Sequence, residues 1–388
     1  MRFLVVGAGA MGGFVAGRLL AGGHVVTVLA RGAHLEAMRT RGLRLENAQG
    51  QLDYSGPVDI CADLREAPVV DVLIVTLKSH QLAPLAGPLA VAANRAQLLM
   101  QIQNGVGWWY FQGHPGPHRG RVLRSVDPEG ALAAGLPVER SVPAFAFKSA
   151  QVVEPGVVRH QESPSDKWVL GELGGGDGAR LRDLAAALAA AGMATELGDA
   201  RQWMWNKLLG NIFANPICAI TRQPLGVIAR HPATRALGLG LMKEMAAVAA
   251  ALSCPISMSF EERLDRGMAL TTARPSMLQD LESNRPMELD AILGGVVELG
   301  QLTGVAVPLH RSTAGLLAGY GPAGPPACAA SRLTHEEETW EFKSAVCRMP
   351  WVPRCGKSIC ASRWTPIRWR TSAVPGWSTR CWCFPART

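Results

Sequence analysis

Aromatic and charged residues are scarce in this chain of 388 residues, at 6% and 18% of the total, and no apolar run reaches the roughly 20 residues that a membrane-spanning helix needs. We therefore expect no contact with a membrane. The chain begins with Arg2 and small apolar residues, as a secretory signal peptide does. Glycines interrupt this apolar run, so we do not expect a signal peptide. A cytoplasmic protein with reduced thiols is the expectation that follows.

Cysteine and tryptophan are sparse before residue 321. Residues 321–388 hold six of the nine Cys, six of the eleven Trp, and ten Lys or Arg against four Glu, which is +6 of the net charge of +8. The basic charge therefore belongs mainly to this tail, and we do not expect the rest of the chain to bind nucleic acid. The tail has neither strand nor helix periodicity, and we predict that it is atypical sequence outside the fold.

The sequence also lacks the residue spacing that is typical of metal sites. The pairs Cys355 with Cys360 and Cys381 with Cys383 lack the paired C-x2-C pattern of zinc sites. The segment 113–120 carries two histidines four residues apart, but Pro and Gly between them rule out a helix. We predict a surface loop there and no metal site in the protein.

A glycine-rich turn at the N-terminus organises the rest of the chain. A short strand, residues 2–6, runs directly into the sequence GAGAMG at 7–12, and an apolar helical run to Leu20 follows. Of the three glycines, one makes the tight turn, one lets a pyrophosphate approach the backbone, and one lets the helix pack closely on the strand. The free N–H groups and partial positive charge of the helix N-terminus then favour phosphate.

The end of the second strand selects the cofactor. Residues 24–29 form this strand, and it ends at Arg31, where NAD sites carry an acid that binds the ribose 2′-hydroxyl. No acid is near, whereas Arg suits a 2′-phosphate, which it holds with two hydrogen bonds. NADPH is therefore the expected cofactor.

Later segments predict two domains. The runs 69–77 and 98–102 read as buried parallel strands, and polar residues follow each of them, at the edge where open α/β sheets bind ligands. Beyond about Arg201 the pattern becomes helical, with one helix from Trp203 to Asn215 that Pro216 should end. We predict an α/β fold with an N-terminal Rossmann-type dinucleotide-binding domain, 1–198, and a C-terminal all-helical domain, 199–320.

Three polar residues share one face of that helix. Lys207, Asn211 and Asn215 stand at i, i+4 and i+8, which is either a solvated stripe or a surface that binds a polar ligand. Asn is a weak helix former, which favours the ligand. Ser276 and Glu288 begin two later helices, where each is either a simple capping residue or part of a site.

Taken together, these segments resemble the ketopantoate reductases (2-dehydropantoate 2-reductases). The resemblance covers about residues 1–318 and implies an active site in the cleft between the two domains. It rests on six motifs in order: GAGAMG with Arg31, VTLKSHQ at 75–81, QNGVG at 103–107, WNKLLGNIFANP at 205–216, PSMLQDLESNRPMELD at 275–290 and GVAVPLH at 304–310.

The resemblance implies a role for each matched position. Lys207 matches the catalytic lysine, and Glu288 matches the acid that completes the site. Asn104 matches an Asn beside nicotinamide and substrate. The other matches are the cofactor contacts Gly7, Gly9, Ala10, Met11, Gly12, Arg31, Lys78 and Gln81, and the substrate contacts Asn211, Asn215 and Ser276.

The implied reaction is NADPH-dependent reduction of ketopantoate to (R)-pantoate for pantothenate and coenzyme A synthesis. Hydride addition builds negative charge on the keto oxygen, and an ammonium within reach can stabilise that charge and donate the proton. The alternatives are a paralogous NADP(H)-dependent reductase of another 2-oxo acid and a non-catalytic NADP(H)-binding protein. Residues 108–111 read WWYF, which departs from the family pattern. We expect these aromatic side chains to lie in the core, but the departure leaves the identity of the 2-oxo acid open. Whether the protein forms a homodimer is also left open.

Overall fold

Strands and helices alternate through the first half of the protein. The computed structural model describes residues 1–171, 173 and 178–320, so that the prediction for the tail lies outside the described residues. The strands are β1 (Arg2–Val6), β2 (Val25–Leu29), β3 (Leu43–Glu46), β4 (Leu52–Gly56), β5 (Asp59–Cys61), β6 (Val70–Val75), β7 (Ala96–Gln101), β8 (Ser141–Phe147), β9 (Ser149–Glu154), β10 (Val157–Gln161), β11 (Lys167–Leu170) and β12 (Thr195–Leu197).

Helices make up the second half of the described residues. A π-helical turn, Asp290–Gly294, leads into the penultimate helix. The α-helices are α1 (Ala10–Ala21), α2 (Gly32–Arg41), α3 (Ala86–Ala93), α4 (Ala131–Gly135), α5 (Ala179–Ala190), α6 (Ala200–Thr221), α7 (Leu225–Arg230), α8 (Pro232–Ala251), α9 (Phe260–Ala269), α10 (Ser276–Glu282), α11 (Gly295–Thr303) and α12 (Pro308–Ala318).

Eight strands form one sheet in the order β12-β11-β8-β7-β6-β1-β2-β5. Neighbours are parallel except for the antiparallel pair β8 and β11. The chain leaves β1 toward β2 on one side and returns to β6 on the other, so that the order reverses at β1. Open α/β sheets bind ligands outside the carboxyl ends of the strands at such a switch point. The predicted α/β fold with a helical C-terminal part is confirmed.

The strands around this switch point end level with one another. Val6 pairs with Leu29 of β2 and with Val75 of β6, and Val75 pairs with Gln101 of β7. The segments that follow these strands therefore meet at one edge of the sheet. This alignment brings the glycine turn, the second-strand arginine and the two polar segments of the sequence prediction into one place.

A smaller sheet, in the order β4-β3-β10-β9, packs on α1. Two of its strands, β9 and β10, form an antiparallel hairpin. Gly156, with φ of +82°, makes the turn in a left-handed backbone conformation that other residues rarely adopt.

Helix α6 continues past Pro216 to Thr221, so that the predicted end at Asn215 is wrong. Proline removes one backbone donor and costs about 3 kcal/mol in a helix interior. Pro216 and the three residues after it are buried, and their packing in the apolar core offsets that loss. The helix starts at Ala200, three residues before the predicted start, because the Asp199 side chain caps it.

One hydrophobic core joins the sheet to the helices. It runs from Leu73 and Leu99 of the central strands to Trp205 and Ile212 of α6. The aromatic run 108–111 lies inside this core, as expected, and does not line the cleft described below. The proposed domain division at 198/199 falls between β12 and α6, and we keep it as a proposal because the core is continuous across it.

Residues 113–120 form a loop as predicted, and five of the eight are exposed, but one of its histidines is buried. His114 is 8% exposed and packs edge-on against Phe111, with 5.5 Å between ring centroids. Its Nδ1 accepts a hydrogen bond of 2.9 Å from the backbone N–H of Gly116. The aromatic run draws this histidine into the core.

Candidate active site

A cleft of about 990 Å³ opens at the carboxyl ends of β1, β2, β6 and β7, and α6 and α10 form its opposite wall. The sheet side therefore offers backbone turns, while the helical side offers polar side chains. Every predicted site residue except Gly12 lines this cleft: Gly7, Gly9, Ala10, Met11, Arg31, Lys78, Gln81, Asn104, Lys207, Asn211, Asn215, Ser276 and Glu288.

The glycine turn is built as the sequence predicts. Gly7 has φ of +109°, and Thr76 Oγ1 donates hydrogen bonds to the carbonyls of Val6 (3.1 Å) and Gly7 (2.9 Å). Gly12 is absent from the cleft lining because it packs under the turn, where a Cβ would stand 1.8 Å from the Gly7 carbonyl oxygen. Only glycine permits this close approach of helix to turn.

The N-terminus of α1 faces the cleft without a side-chain cap. Gly9 is the N-cap residue, and nothing lies within 4 Å of where its Cβ would stand. The first N–H groups of the helix and the positive end of its dipole are therefore available to an anion. These residues fit the pyrophosphate of a dinucleotide.

The end of β2 bears a positive charge and no acid. Arg31 is exposed at the rim of the cleft, where it directly precedes α2, and His34 lines the cleft one turn further along. Among the described residues that line the cleft, Glu288 is the one acid. The Asp63 carboxylate is close enough to Arg31 for the two charges to interact, but Asp63 does not line the cleft. The rim at Arg31 is thus suited to a phosphate.

Two predicted cofactor contacts have partners inside the protein. The Lys78 Nζ lies 2.5 Å from Asp280 Oδ2 on α10, an ion pair that crosses the cleft. The Gln81 Oε1 accepts a 3.0 Å hydrogen bond from the backbone N–H of Lys78 and so closes the short 3₁₀ turn between them. Both residues line the cleft, but their cofactor roles stay predictions.

Glu288 is held by groups from the opposite wall. Its Oε1 accepts from the backbone N–H of Ser79 and its Oε2 from Asn104 Nδ2, each at 3.2 Å. Burial raises the pKa of Glu288, while these two hydrogen bonds and the charge of Lys78 act in the opposite direction. The acid lies two residues before the π-helical turn, a distortion found often at functional sites.

Lys207 presents a half-buried ammonium to the cleft. Burial lowers its pKa to about 8, and the charge of Glu288 counteracts this effect. The structure gives its Nζ no hydrogen-bond or carboxylate partner among the described residues, and the nearest aromatic ring is Phe147, with its centroid 5.9 Å away. An ammonium with a pKa near neutrality and a free proton can serve as a general acid.

The two asparagines of α6 differ in their partners. Asn211 has a buried amide nitrogen without a hydrogen-bond acceptor. Asn215 Oδ1 instead accepts from the backbone N–H of Met277 at 3.2 Å and from Ser276 Oγ at 3.3 Å. The Asn211 donor is therefore available to a ligand, whereas Asn215 ties α6 to the start of α10.

Several further side chains line the cleft without a role predicted from the sequence, and three of them lie where they can affect a ligand. His80 has a buried Nδ1 without a partner, and burial, followed by the charge of Lys78, lowers its pKa. Phe147 forms an apolar wall beside Lys207. Arg263 reaches the cleft from α9. His80 stands within the motif 75–81, but no pattern marks Arg263 among the other charged residues of its helix.

Residues 1–171, 173 and 178–320 contain neither a metal-binding cluster nor a membrane span. Within these ranges no group of three His, Cys, Asp or Glu side chains is arranged to hold a metal ion. No helix in the same ranges is both long and apolar enough to cross a bilayer.

Comparison with known proteins decides the family. The model described as ketopantoate reductase PanE/ApbA matches residues 3–175, and its C-terminal counterpart matches residues 199–321. The chain belongs to the ketopantoate reductase family. This is a family of NAD(P)-dependent oxidoreductases, and the matched ranges include both walls of the cleft.

Individual relatives agree with this membership. The 2-dehydropantoate 2-reductase of Mesorhizobium japonicum is 36% identical over 79% of this chain and 94% of its own length. A crystal structure from Ralstonia solanacearum, classed with the ketopantoate reductases, is 34% identical and covers 82% of this chain and 97% of its own, with a TM-score of 0.76. A D-mandelate dehydrogenase solved with NADH and anilino(oxo)acetate is 21% identical, covers 82% and 98%, and has a TM-score of 0.70, so it shares the fold.

Proposed function

We propose that this protein reduces ketopantoate to (R)-pantoate with NADPH, the step that serves pantothenate and coenzyme A synthesis. The observation that carries the proposal is the half-buried ammonium of Lys207 in a cleft with a dinucleotide-type glycine turn on the opposite wall. A non-catalytic nucleotide-binding protein has no need of a lysine with a lowered pKa beside a buried acid.

The proposed chemistry follows from the two walls. When bound, reduced nicotinamide supplies the hydride that adds to the substrate's keto carbon. Lys207 stabilises the negative charge that develops on the keto oxygen and donates its proton there, and solvent then restores the proton. Products are the 2-hydroxy acid and the oxidised cofactor.

Other groups in the cleft position the reactants. Glu288 orients the Asn104 amide through their 3.2 Å hydrogen bond and favours the charged form of Lys207. The unpartnered Asn211 amide can donate to the substrate's hydroxyl or carboxylate without adding charge to the cleft. The Ser276 hydroxyl gives its proton to Asn215, so its oxygen can accept a hydrogen bond from the substrate's hydroxyl. Precise placement of this kind contributes a large part of catalysis.

NADPH is the proposed cofactor because of the charge at the rim. Arg31 stands exposed at the end of β2, and the acid that would bind a ribose 2′-hydroxyl is missing there. The D-mandelate dehydrogenase of the same fold was solved with NADH, so the choice between the two cofactors has to be measured for this chain.

A second candidate is a reductase of another 2-oxo acid. Phe147 lines the cleft beside Lys207, and an apolar wall at that place can also receive a bulkier substrate side chain. Reduction of an aryl 2-oxo acid in preference to ketopantoate would support this candidate.

The decisive experiment is an NADPH-oxidation assay on the purified full-length protein with ketopantoate and a panel of aliphatic and aryl 2-oxo acids. We expect the largest kcat/KM with ketopantoate. The Lys207→Ala variant should bind NADPH as the wild type does, because the glycine turn lies on the other wall, and should lose roughly 10²–10⁴ in kcat. Near wild-type turnover in this variant would contradict the mechanism.

A further inference from the structure

Arg263 is a cation in the cleft for which the protein supplies no anion. The residue lies on α9, is half-buried and lines the cleft on its helical side. The structure shows neither a carboxylate nor a carbonyl that accepts from its guanidinium among the described residues. A guanidinium that loses part of its water on burial normally gains hydrogen bonds from the protein or a ligand in exchange.

Arg201 provides the contrast within the same molecule. Arg201 is more deeply buried than Arg263, and its guanidinium donates to the backbone carbonyls of Tyr110 (2.8 Å) and Gln112 (2.7 Å). An arginine with a structural role in this protein thus has backbone carbonyls as hydrogen-bond acceptors. Arg263 has no such carbonyl partner among the described residues, and it lines a cleft that a ligand can fill.

Helix α6 is shaped to admit this side chain. A Cβ on Gly210 would stand 1.9 Å from Arg263 Nη2, so that only glycine lets the guanidinium lie across the helix at this height. Gly210 follows Lys207 by three positions and directly precedes Asn211. The guanidinium therefore lies along the same stretch of helix as the proposed proton donor and the free amide.

The charge balance of the cleft also calls for an anion. Burial and the charge of nearby Arg266 lower the pKa of Arg263, and no acid counteracts them. Glu288, the one acid lining the cleft among the described residues, is already bonded to Ser79 and Asn104. A substrate carboxylate would supply the missing negative charge.

We propose that Arg263, admitted to the cleft by Gly210, binds a carboxylate of the substrate and selects 2-oxo acids over their neutral analogues. The proposal rests on the proposed function, since it assigns a further substrate contact to the same site. A guanidinium can hold a carboxylate with two parallel hydrogen bonds, which fixes the direction of the substrate as well as its affinity.

The first test compares Arg263→Gln with Arg266→Gln, which removes an equal charge from the exposed side of the same helix. We expect Arg263→Gln to raise KM for 2-oxo acids about 10- to 100-fold and to leave the Kd of NADPH unchanged, because a charged hydrogen bond to the substrate is lost. Arg266→Gln should match the wild type. Equal KM values in both variants would overturn the proposal.

The substrate panel identifies which carboxylate is bound. A 2-oxo acid and its 2-oxo ester should differ less in kcat/KM with Arg263→Gln than with the wild type if the carboxylate beside the keto group is the one held. A KM increase confined to dicarboxylic 2-oxo acids would show instead that Arg263 holds a second, distal carboxylate. Both results support the proposal. It is contradicted if Arg263→Gln leaves the ratio of kcat/KM between acid and ester unchanged for every substrate.

Gly210→Ala tests the same contact without removing the charge. The new methyl group must displace the guanidinium, so KM should rise as in Arg263→Gln. Alanine is the better helix former by roughly 0.5–1 kcal/mol, so the melting temperature should stay equal or increase. A normal KM in this variant would show that the guanidinium's position across α6 is irrelevant to the substrate.

A binding measurement separates this proposal from the proposed function. Oxamate is a non-reducible anion with the carboxylate of a 2-oxo acid, and its binding to the NADPH complex can be followed by cofactor fluorescence. If the protein reduces no 2-oxo acid but Arg263→Gln still weakens oxamate binding at least tenfold relative to Arg266→Gln, the proposed function fails and the carboxylate site stands. Equal oxamate binding in these two variants would reject the site.

Discussion

At the scale of single residues, the properties of Lys207 come from its position and not from its chemistry alone. An ordinary lysine would hold its proton too tightly for rapid transfer near neutral pH. Partial burial on α6 lowers the pKa to about 8, and Glu288 limits the decrease. The same pair of residues therefore sets both the charge and the acidity of the proposed donor.

The first prediction concerns pH. The proposed reduction needs the charged form of Lys207, so kcat/KM for the 2-oxo acid should fall as pH rises through about 8. Glu288→Gln removes the charge that favours the ammonium, which should lower the pKa of Lys207 and move this decrease to lower pH. Lys207→Arg should show no such decrease and little activity, because Arg does not give up its proton.

Thermal unfolding provides an independent test of the same pKa, because stability should increase with pH where activity decreases. Folding lowers the pKa of Lys207 from 10.5 to about 8, so the buried ammonium destabilises the protein fully below pH 8. This cost is relieved as pH rises from about 8 toward 10.5. Lys207→Gln should therefore be more stable than the wild type mainly below pH 8, and a pH-independent difference would contradict the assigned pKa.

The second prediction concerns Arg31. Arg31→Asp should weaken NADPH by about tenfold or more, through a lost charged hydrogen bond and added repulsion, and should affect NADH far less. Titration of both cofactors by fluorescence measures this change. Arg39→Asp, at an exposed position of α2 outside the cleft lining, is the matched charge control and should change neither affinity. Equal weakening of both cofactors by Arg31→Asp would show that Arg31 does not bind the 2′-phosphate.

At the scale of elements, the contact between α6 and α10 combines support with binding. Pro275 precedes α10 and cannot cap it with its side chain. Asn215 of α6 takes over this task, because its Oδ1 accepts the backbone N–H of Met277 at 3.2 Å. The helix that carries Lys207 thus fixes the start of the helix that carries Ser276.

The third prediction separates the two asparagines of α6. Asn215→Ala should lower the free energy of unfolding by about 1–2 kcal/mol, because α10 loses its cap. Asn211→Ala is the matched control one turn earlier: it removes a buried donor that has no partner, so stability should be equal or higher. Both variants should raise KM. Equal loss of stability in the two variants, measured by urea unfolding, would contradict this division of roles.

Local pattern accounts for most of the elements and for the sheet side of the site. The glycine turn, Arg31 and the polar segments after β6 and β7 are predictable because parallel strands that end level bring their following segments together. Pro216 misled the prediction because local propensity predicts a helix end, whereas the burial of residues 216–219 decides otherwise.

The helical side of the cleft depends on contacts that no local pattern contains. Arg263 looks like any exposed charge of α9, and only the packing of α9 on Gly210 of α6 brings it into the cleft. The partner of Lys78 is equally hidden, because Asp280 follows it by about 200 residues and reaches it only through the helical fold. Sequence motifs mark which residues take part, but tertiary packing decides which of them are free.

At the scale of the whole molecule, several polar contacts tie the helical part to the sheet edge. Glu298 accepts from the backbone N–H groups of Arg124 and Ser125, each at 2.8 Å, and the backbone N–H of Val106 donates to the Ala291 carbonyl at 2.7 Å. None of the residues in these contacts lines the cleft, so the contacts join the two parts outside it. Two further links involve residues that line the cleft: the hydrogen bonds of Glu288 to Ser79 and Asn104, and the ion pair of Lys78 with Asp280.

The fourth prediction is that this ion pair joins the two walls and competes with the cofactor for Lys78. Asp280 is nearly buried, while the Lys78 side chain is 31% exposed, so the coupling energy in a double-mutant cycle of Lys78→Gln and Asp280→Asn should be about 1 kcal/mol. Asp280→Asn should also tighten NADPH, because it removes a negative charge and releases the ammonium toward the phosphates.

The exposed pair Arg274 and Glu282 is the matched control, because it involves the same helix but stays on one side of the cleft. Its cycle should give a coupling energy close to zero and no change in cofactor affinity, since both side chains are solvated. If Asp280→Asn left NADPH affinity unchanged while Lys78→Gln weakened it, Lys78 would bind the cofactor without competition from Asp280. If neither variant changed that affinity, Lys78 would act only in joining the walls, and its predicted cofactor role would have to be withdrawn.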